Sequence, residues 1–144
     1  MNAQKPTRIL LIDDDPDIHL AVQMILEPLG YTVACYQTGQ AGLGAIRREP
    51  PDAVLLDIML THPSEGLQVA CEMRRDSQLR NIPLILMSAI GQSIGMEYGR
   101  EVCPDVMSAD MFLEKPFDAK TLREAVGWIV EQKKGRPDSQ GMSG

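Results

Sequence analysis

Four short apolar runs that stop at five polar residues constrain this chain more than any other feature. Ile9-Leu10-Leu11-Ile12 runs into Asp13 and Asp14, and Ala53-Val54-Leu55-Leu56 runs into Asp57. Leu84-Ile85-Leu86-Met87 stops at Ser88, and Met111-Phe112-Leu113 leads through Glu114 to Lys115 and Pro116. Short apolar runs separated by helix-like stretches read as buried strands of a parallel sheet. In an open α/β sheet, ligands bind beyond the carboxyl ends of the strands. Three carboxylates, a hydroxyl and an ammonium therefore converge on one edge. That set suits a divalent cation and a phosphoryl group.

The stretches between these runs carry helix signals. Asp15 offers an N-cap with Pro16 at the first helical position, and Ile18, Ala21, Val22, Ile25, Leu26 and Leu29 follow at helical spacing until Gly30. Tyr31–Tyr36 alternates as a second strand, and Thr38 opens a helix through about Arg48. Pro50-Pro51 punctuates before the strand Ala53–Leu56, and a third helix spans Leu67–Arg75. Leu84–Met87 is the fourth strand and Met111–Glu114 the fifth; Ala89–Asp110 between them is expected to be loop plus one short helix. The last helix, Asp118–Gln132, turns Leu122, Ala125, Val126, Ile129 and Val130 inward. Repeated βα units with right-handed crossovers predict an α/β, doubly wound, five-stranded parallel sheet with helices on both faces. Strands one and three must be neighbours if Asp13, Asp14 and Asp57 are to meet, which the flavodoxin-like order 2-1-3-4-5 provides.

The bulk numbers narrow the function. At 144 residues the chain suits one core. The expected organisation is a short extension over 1–7, a domain over 8–134 and a disordered tail over 135–144. A net charge of -6 gives no electrostatic case for direct nucleic-acid binding, and Lys133-Lys134-Gly135-Arg136 is too short to change that. No apolar run approaches the ~20 residues that span a bilayer, and the N-terminus lacks a signal-peptide core. A cytoplasmic location without membrane attachment is the expectation. Cys35, Cys71 and Cys103 are odd in number and scattered, so neither a metal site nor a disulfide framework is expected, and Cys35 and Cys71 read as small core residues. His19 and His62 fall in no ligand pattern either, and Trp128 is either core or a partner-facing patch.

Consecutive residues at a strand end cannot share one orientation, so of Asp13 and Asp14 one can bind a cation directly while the other acts at one remove. Mg²⁺ fits, since it takes oxygen ligands and keeps several waters. Asp15 supplies the helix cap, which leaves its two neighbours for other work. Asp57 ends a wholly apolar strand, where a charge is costly unless paired or metal-bound.

Ile-Leu-Leu-Ile-Asp-Asp-Asp-Pro, then Leu-Leu-Asp-Ile-Met-Leu, Leu-Met-Ser-Ala and Phe-Leu-Glu-Lys-Pro-Phe, in that order, resemble the receiver domain of two-component response regulators. The resemblance covers about Arg8 to Gln132. It implies that Asp57 is the phosphoacceptor, becoming a 4-aspartylphosphate at the expense of a phosphohistidine. It implies further that Asp14 and Asp57 hold Mg²⁺ with the backbone carbonyl of Met59, and that Asp13 acts through a bound water. Ser88 would hydrogen-bond the phosphoryl group and Lys115 would pair with it, while Ser88 and Phe112 would form the switch. Three departures stand out. Thr61-His62-Pro63-Ser64-Glu65-Gly66 replaces the family's shorter proline-glycine turn, Ser88 replaces the commoner threonine, and the stretch from Ser88 to Lys115 is several residues longer than usual.

By this resemblance the chain is expected to be a stand-alone, chemotaxis-type single-domain receiver. Its partners would be a sensor histidine kinase or phosphotransfer protein and a downstream protein, with a homodimer left open. It would not be an enzyme beyond slow self-dephosphorylation. Two rivals differ in class. A haloacid-dehalogenase-type phosphatase or phosphotransferase also forms an aspartyl phosphate, but commonly has a second aspartate two residues after the nucleophile, where Met59 stands. A degenerate receiver would bind partners without phosphorylation, against which the intact Asp14, Asp57 and Lys115 count.

Overall fold

The computed structural model describes residues 6–58, 65–89 and 110–134. Met59, the 61–64 turn, the 90–109 stretch and the tail, for each of which the sequence raised an expectation, lie outside the described residues. Five strands form one parallel sheet: β1 (Arg8–Ile12), β2 (Thr32–Tyr36), β3 (Ala53–Asp57), β4 (Leu84–Ala89) and β5 (Met111–Lys115). Their order is β2-β1-β3-β4-β5, as the alternation of elements predicted. Four α-helices accompany them among the described residues: α1 (Pro16–Leu26), α2 (Gly39–Arg48), α3 (Glu65–Arg75) and α4 (Ala119–Lys134).

The caps follow the sequence. Asp15 takes the N-cap of α1 and accepts from the Asp17 amide, with Pro16 behind it. Thr38 caps α2 through the Ala41 amide. The first helix stops sooner than the apolar spacing predicts. Pro28 has no N–H to continue the α ladder, so the chain tightens into a 3₁₀ turn over Glu27–Leu29 and leaves through Gly30 at φ 98°. Glu65 begins α3 two residues earlier than expected, and its carboxylate accepts from the Gly39 amide at 2.8 Å. A residue of one helix thus serves the orphan amides of another, which no local pattern could announce.

Side-chain parity divides the core in two. Leu10, Ile12, Val54, Leu56, Leu84 and Leu86 face α2 and α3 with Leu43, Ile46, Leu67, Ala70 and Met73. Ile9, Leu11, Leu55, Ile85, Met87 and Leu113 face α1 and α4 with Val22, Leu26, Leu122, Val126 and Ile129. Full burial of each such side chain contributes roughly 1.5–3 kcal/mol before the entropy of ordering is set against it. Both faces of the sheet are covered, which is why the strands read as continuous apolar runs.

Arg74 joins distant segments. Its guanidinium donates to the Arg80 carbonyl at 2.6 Å and to the Ile82 carbonyl at 3.3 Å, and pairs with Asp110 at 3.1 Å. Asp110 in turn accepts from the Leu84 amide at 2.9 Å. The start of β4 and the entry to β5 are thereby fastened to the end of α3.

The cysteine reading needs one correction. Cys71 is core, as expected, but it is also disulfide-bonded. Scattered spacing carries no information about pairing across the fold. Burial, aided by the charge of Glu27, pushes the Cys35 thiol up to about 11, which makes it a poor nucleophile. Trp128 is half-exposed and so is not core.

Asp118 opens α4 by accepting from the Thr121 amide at 2.8 Å, and that bond holds its carboxyl below the ordinary 3.8. A carboxyl depressed on folding adds stability that is whole above the unfolded value and is lost as pH falls through the folded one. Asp118→Asn keeps a capping oxygen without a titrating group. The stability difference between wild type and Asp118→Asn should be constant above pH 3.8 and shift toward the variant below it. Urea unfolding of both proteins across that range checks this, and parallel curves down to strong acid would refute it.

Candidate functional site

Strand parity brings the charges together. Asp13 continues the β1 alternation of Ile9 and Leu11, Asp57 that of Ala53 and Leu55, and Lys115 that of Leu113. All three leave the same face of the sheet at its carboxyl edge. β1 and β3 are direct neighbours, with Ile12 opposite Leu56. One oxygen from each of Asp13, Asp14 and Asp57 lies within 4.8 Å of the other two.

Lys115 arrives from the edge strand. Its Nζ donates to Asp13 Oδ2 at 2.7 Å and to Asp57 Oδ2 at 3.2 Å. Asp13 is fully buried and Asp57 nearly so. Burial works to lower the Lys115 ammonium, but its hydrogen bond to Asp13 and the charges of Asp57 and Asp13 hold it above its ordinary 10.5. Lys115 is therefore a fixed cation at any ordinary pH.

Asp13 is held on every side. Its amide donates to the Tyr36 carbonyl at 3.0 Å, its Oδ1 accepts from the Asp15 amide at 2.9 Å, and its carbonyl meets His19 Nε2 at 2.6 Å. Asp14 is exposed at the mouth of the site. Sequence reasoning placed the two aspartates in different orientations, and they are.

Three carboxylates against one ammonium leave the site net negative. Oxygen donors alone, two of them buried and one open to solvent, suit a hard divalent cation that retains water. Among the described residues, these three side chains form the group that could hold a metal ion. The three oxygens lie close enough together to share one small ion, which would keep water in its remaining positions.

Ser88 lies in β4, half-buried and in register with Glu114, one residue beyond the Met87 that faces Asp57. Its parity is that of Leu86, so it leaves the opposite face of the sheet from Asp57. Phe112 lies on β5 with 45% of its surface exposed, beside a shallow groove that includes Glu114, Phe117 and Thr121. Met59, expected to add a backbone carbonyl, lies outside the described residues.

Two residues near the site escaped sequence reasoning. His19 was set aside because it fits no metal-ligand spacing, yet it bonds the Asp13 carbonyl. Gly66, in the first turn of α3, sits against the carbonyl oxygens of Asp57 and Ile58, with no room for a Cβ. The sequence reading placed Gly66 in the turn before a helix starting at Leu67, where a glycine signals a turn and not a close approach to Asp57.

Comparisons with known proteins agree with this geometry. Residues 9–127 match the family model of the response regulator receiver domain. The DNA-binding dual master transcriptional regulator RpaA of Synechocystis is 36% identical over 87% of this chain and 49% of its own length. Protein PilH of Pseudomonas aeruginosa is 28% identical over 85% of this chain and 97% of its own length. Most of the curated relatives resembling this chain are about twice as long as the segment it matches. Among solved structures, a response regulator from Chloroflexus aurantiacus superimposes with a TM-score of 0.76 at 26% identity, covering 88% of this chain and 99% of its own. No helix among the described residues is long and apolar enough to cross a membrane.

Proposed function

This chain belongs to the response regulator receiver domain family, and we propose that it is a phosphoacceptor switch. Asp57 takes a phosphoryl group from a sensor histidine kinase or phosphotransfer protein, with Mg²⁺ bound at the acidic edge. The observation that carries this reading is the position of Asp57. It ends the central strand, 3.2 Å from the Lys115 ammonium and beside Asp13 and Asp14.

A carboxylate oxygen of Asp57 attacks phosphorus, and the phosphorus–nitrogen bond of the donor imidazole breaks. The electron pair leaves with the imidazole nitrogen. Two anions must approach each other for this to happen, so the barrier falls when fixed positive charge meets the phosphoryl oxygens. Lys115 supplies one such charge, already desolvated and oriented. Asp14 and Asp57 would hold Mg²⁺, with Asp13 acting through water and the Met59 carbonyl as the further donor that the family resemblance implies, and the ion would supply the remaining positive charge when bound.

Phosphorylation turns one carboxylate oxygen of Asp57 into the bridging oxygen of an acyl phosphate of higher charge, so the Lys115 bonds are redistributed. Ser88, at the same carboxyl edge but on the other side of the β4 alternation, then has to turn its hydroxyl over that edge to gain a phosphoryl oxygen as acceptor, drawing β4 towards the site. Phe112 gains by burying its exposed ring as β4 and β5 adjust, and the altered surface changes partner binding. In this reading the chain holds its phosphoryl group rather than turning over a substrate.

Incubation with acetyl phosphate and Mg²⁺, reductive trapping of the acyl phosphate and peptide mapping test the assignment. The label is expected on Asp57 alone and absent from Asp57→Asn. Label on Asp13 or Asp14, or undiminished label in the variant, overturns it.

A further inference from the structure

We propose that His19 is a positioning residue of the acidic site, holding the peptide that joins Asp13 to Asp14 by donating Nε2–H to the Asp13 carbonyl. The inference deepens the receiver reading and rests on it for the role of the site, but not for the bond itself. A carbonyl oxygen can only accept, so the contact at 2.6 Å places the proton on Nε2.

The need for such a donor comes from the local sequence. Asp13 stands one residue past the last paired position of β1, so the sheet ladder gives its carbonyl no partner. The next source would be a turn closed by the amide three residues on. That residue is Pro16, which has no N–H. Asp15 and Asp17 spend their amides on the side chains of Asp13 and Asp15, at 2.9 Å each. His19, the fourth residue of α1, is half-buried and reaches back across that turn.

The consequence falls on Asp14. Its amide and the Asp13 carbonyl belong to one planar peptide, so fixing the carbonyl fixes the plane from which Asp14 departs. Among the described residues no hydrogen bond or ion pair reaches the Asp14 carboxylate, whereas Asp13 is anchored at its amide and both carboxylate oxygens. Asp14 therefore owes its orientation to the backbone, and the backbone there owes its orientation to His19. A cation that needs near-ideal octahedral geometry is sensitive to such a constraint.

The test compares wild type with His19→Phe, which keeps a ring without the donor, and His19→Gln, which keeps a donor near the Nε2 position. Calorimetric Mg²⁺ titration of the full chain is the first readout. The rate of Asp57 labelling by phosphoramidate at sub-saturating and saturating Mg²⁺ is the second. One hydrogen bond corresponds to about a fivefold change in affinity. His19→Phe should weaken Mg²⁺ binding about fivefold and slow labelling at low Mg²⁺, with the rate recovering at saturation. His19→Gln should return both within about twofold of wild type, given that one donor replaces another. Urea midpoints confirm that all three proteins are folded. Equal Mg²⁺ affinity in wild type and His19→Phe, or His19→Gln as impaired as His19→Phe, overturns the proposal. Absence of label on wild-type Asp57 would instead count against the receiver reading, and the Mg²⁺ titration would still decide the role of His19.

Discussion

Lys115→Ala is expected to lower stability by about 3 kcal/mol in the absence of divalent metal, because it removes the ammonium bonded to two buried carboxylates. Asp13 has no exposed surface, and the side chain of Asp57 is 6% exposed. Lys115 is the cation bonded to both, at 2.7 and 3.2 Å. Removing one partner of a buried pair costs far more than the pair contributes, since the remaining charge keeps its desolvation penalty. Mg²⁺ should reverse most of the loss. It brings two charges to the same oxygens, and in the variant it no longer competes with an ammonium. The gain in stability from Mg²⁺ should therefore be larger in Lys115→Ala than in wild type. Asp14→Ala should behave oppositely, losing the Mg²⁺ gain while the metal-free protein is unharmed or improved by the missing like charge. Urea unfolding of the three proteins with chelator and with Mg²⁺ provides all six values. An unchanged midpoint for Lys115→Ala in chelator would show that the ion pairs do not support the fold. Equal Mg²⁺ gains in wild type and Lys115→Ala would show that the metal binds elsewhere.

Gly66→Val should cost roughly 3 kcal/mol and slow phosphoryl uptake on Asp57 by at least about tenfold. A Cβ at Gly66 would collide with the carbonyl oxygens of Asp57 and Ile58, which are backbone and not the yielding tip of a side chain. The strand cannot retreat. Asp57 is in register with Met87 in the β3–β4 ladder, and the Ile58 amide donates to the Met87 carbonyl at 2.9 Å. The start of α3 must move instead, away from the end of β3. Gly127→Ala provides the contrast, since nothing lies within 4 Å of a Cβ there and the position is inside α4. That change should stabilise the protein by about 0.5–1 kcal/mol and leave uptake untouched. Should Gly66→Val match wild type in both stability and uptake, the close approach of α3 to Asp57 would not be a requirement of the site.

Much of the architecture was legible because it is written in short range. Burial on both faces makes a parallel strand continuously apolar, so β1, β3 and β4 could be read as runs. A polar residue marks where each run leaves the core, so Asp13, Asp57 and Lys115 could be placed at one edge before any contact was seen. Caps are local as well, which is why Asp15 and Thr38 open their helices as expected. The errors also have local causes. Pro28 shortened α1 because an apolar period says nothing about a missing amide. The expected loop and short helix between Ala89 and Asp110 fall on 90–109, outside the described residues.

The sequence by itself determined the sheet, its order, and the gathering of three aspartates and a lysine at the carboxyl edge, because period and parity are properties of neighbouring residues. Only the tertiary structure decided how those charges divide their contacts. Lys115 pairs with Asp13 across 102 positions and with Asp57 across 58. Asp13 is sealed while its neighbour Asp14 opens to solvent. His19 bonds a carbonyl that a proline, lacking an N–H, could not serve, Gly66 lies against the backbone of Asp57 and Ile58, and Arg74 ties α3 to both of the last strands. Each of these depends on where one packed element comes to rest against another, to within a fraction of an ångström. Side-chain periodicity specifies which face is buried, but not that distance.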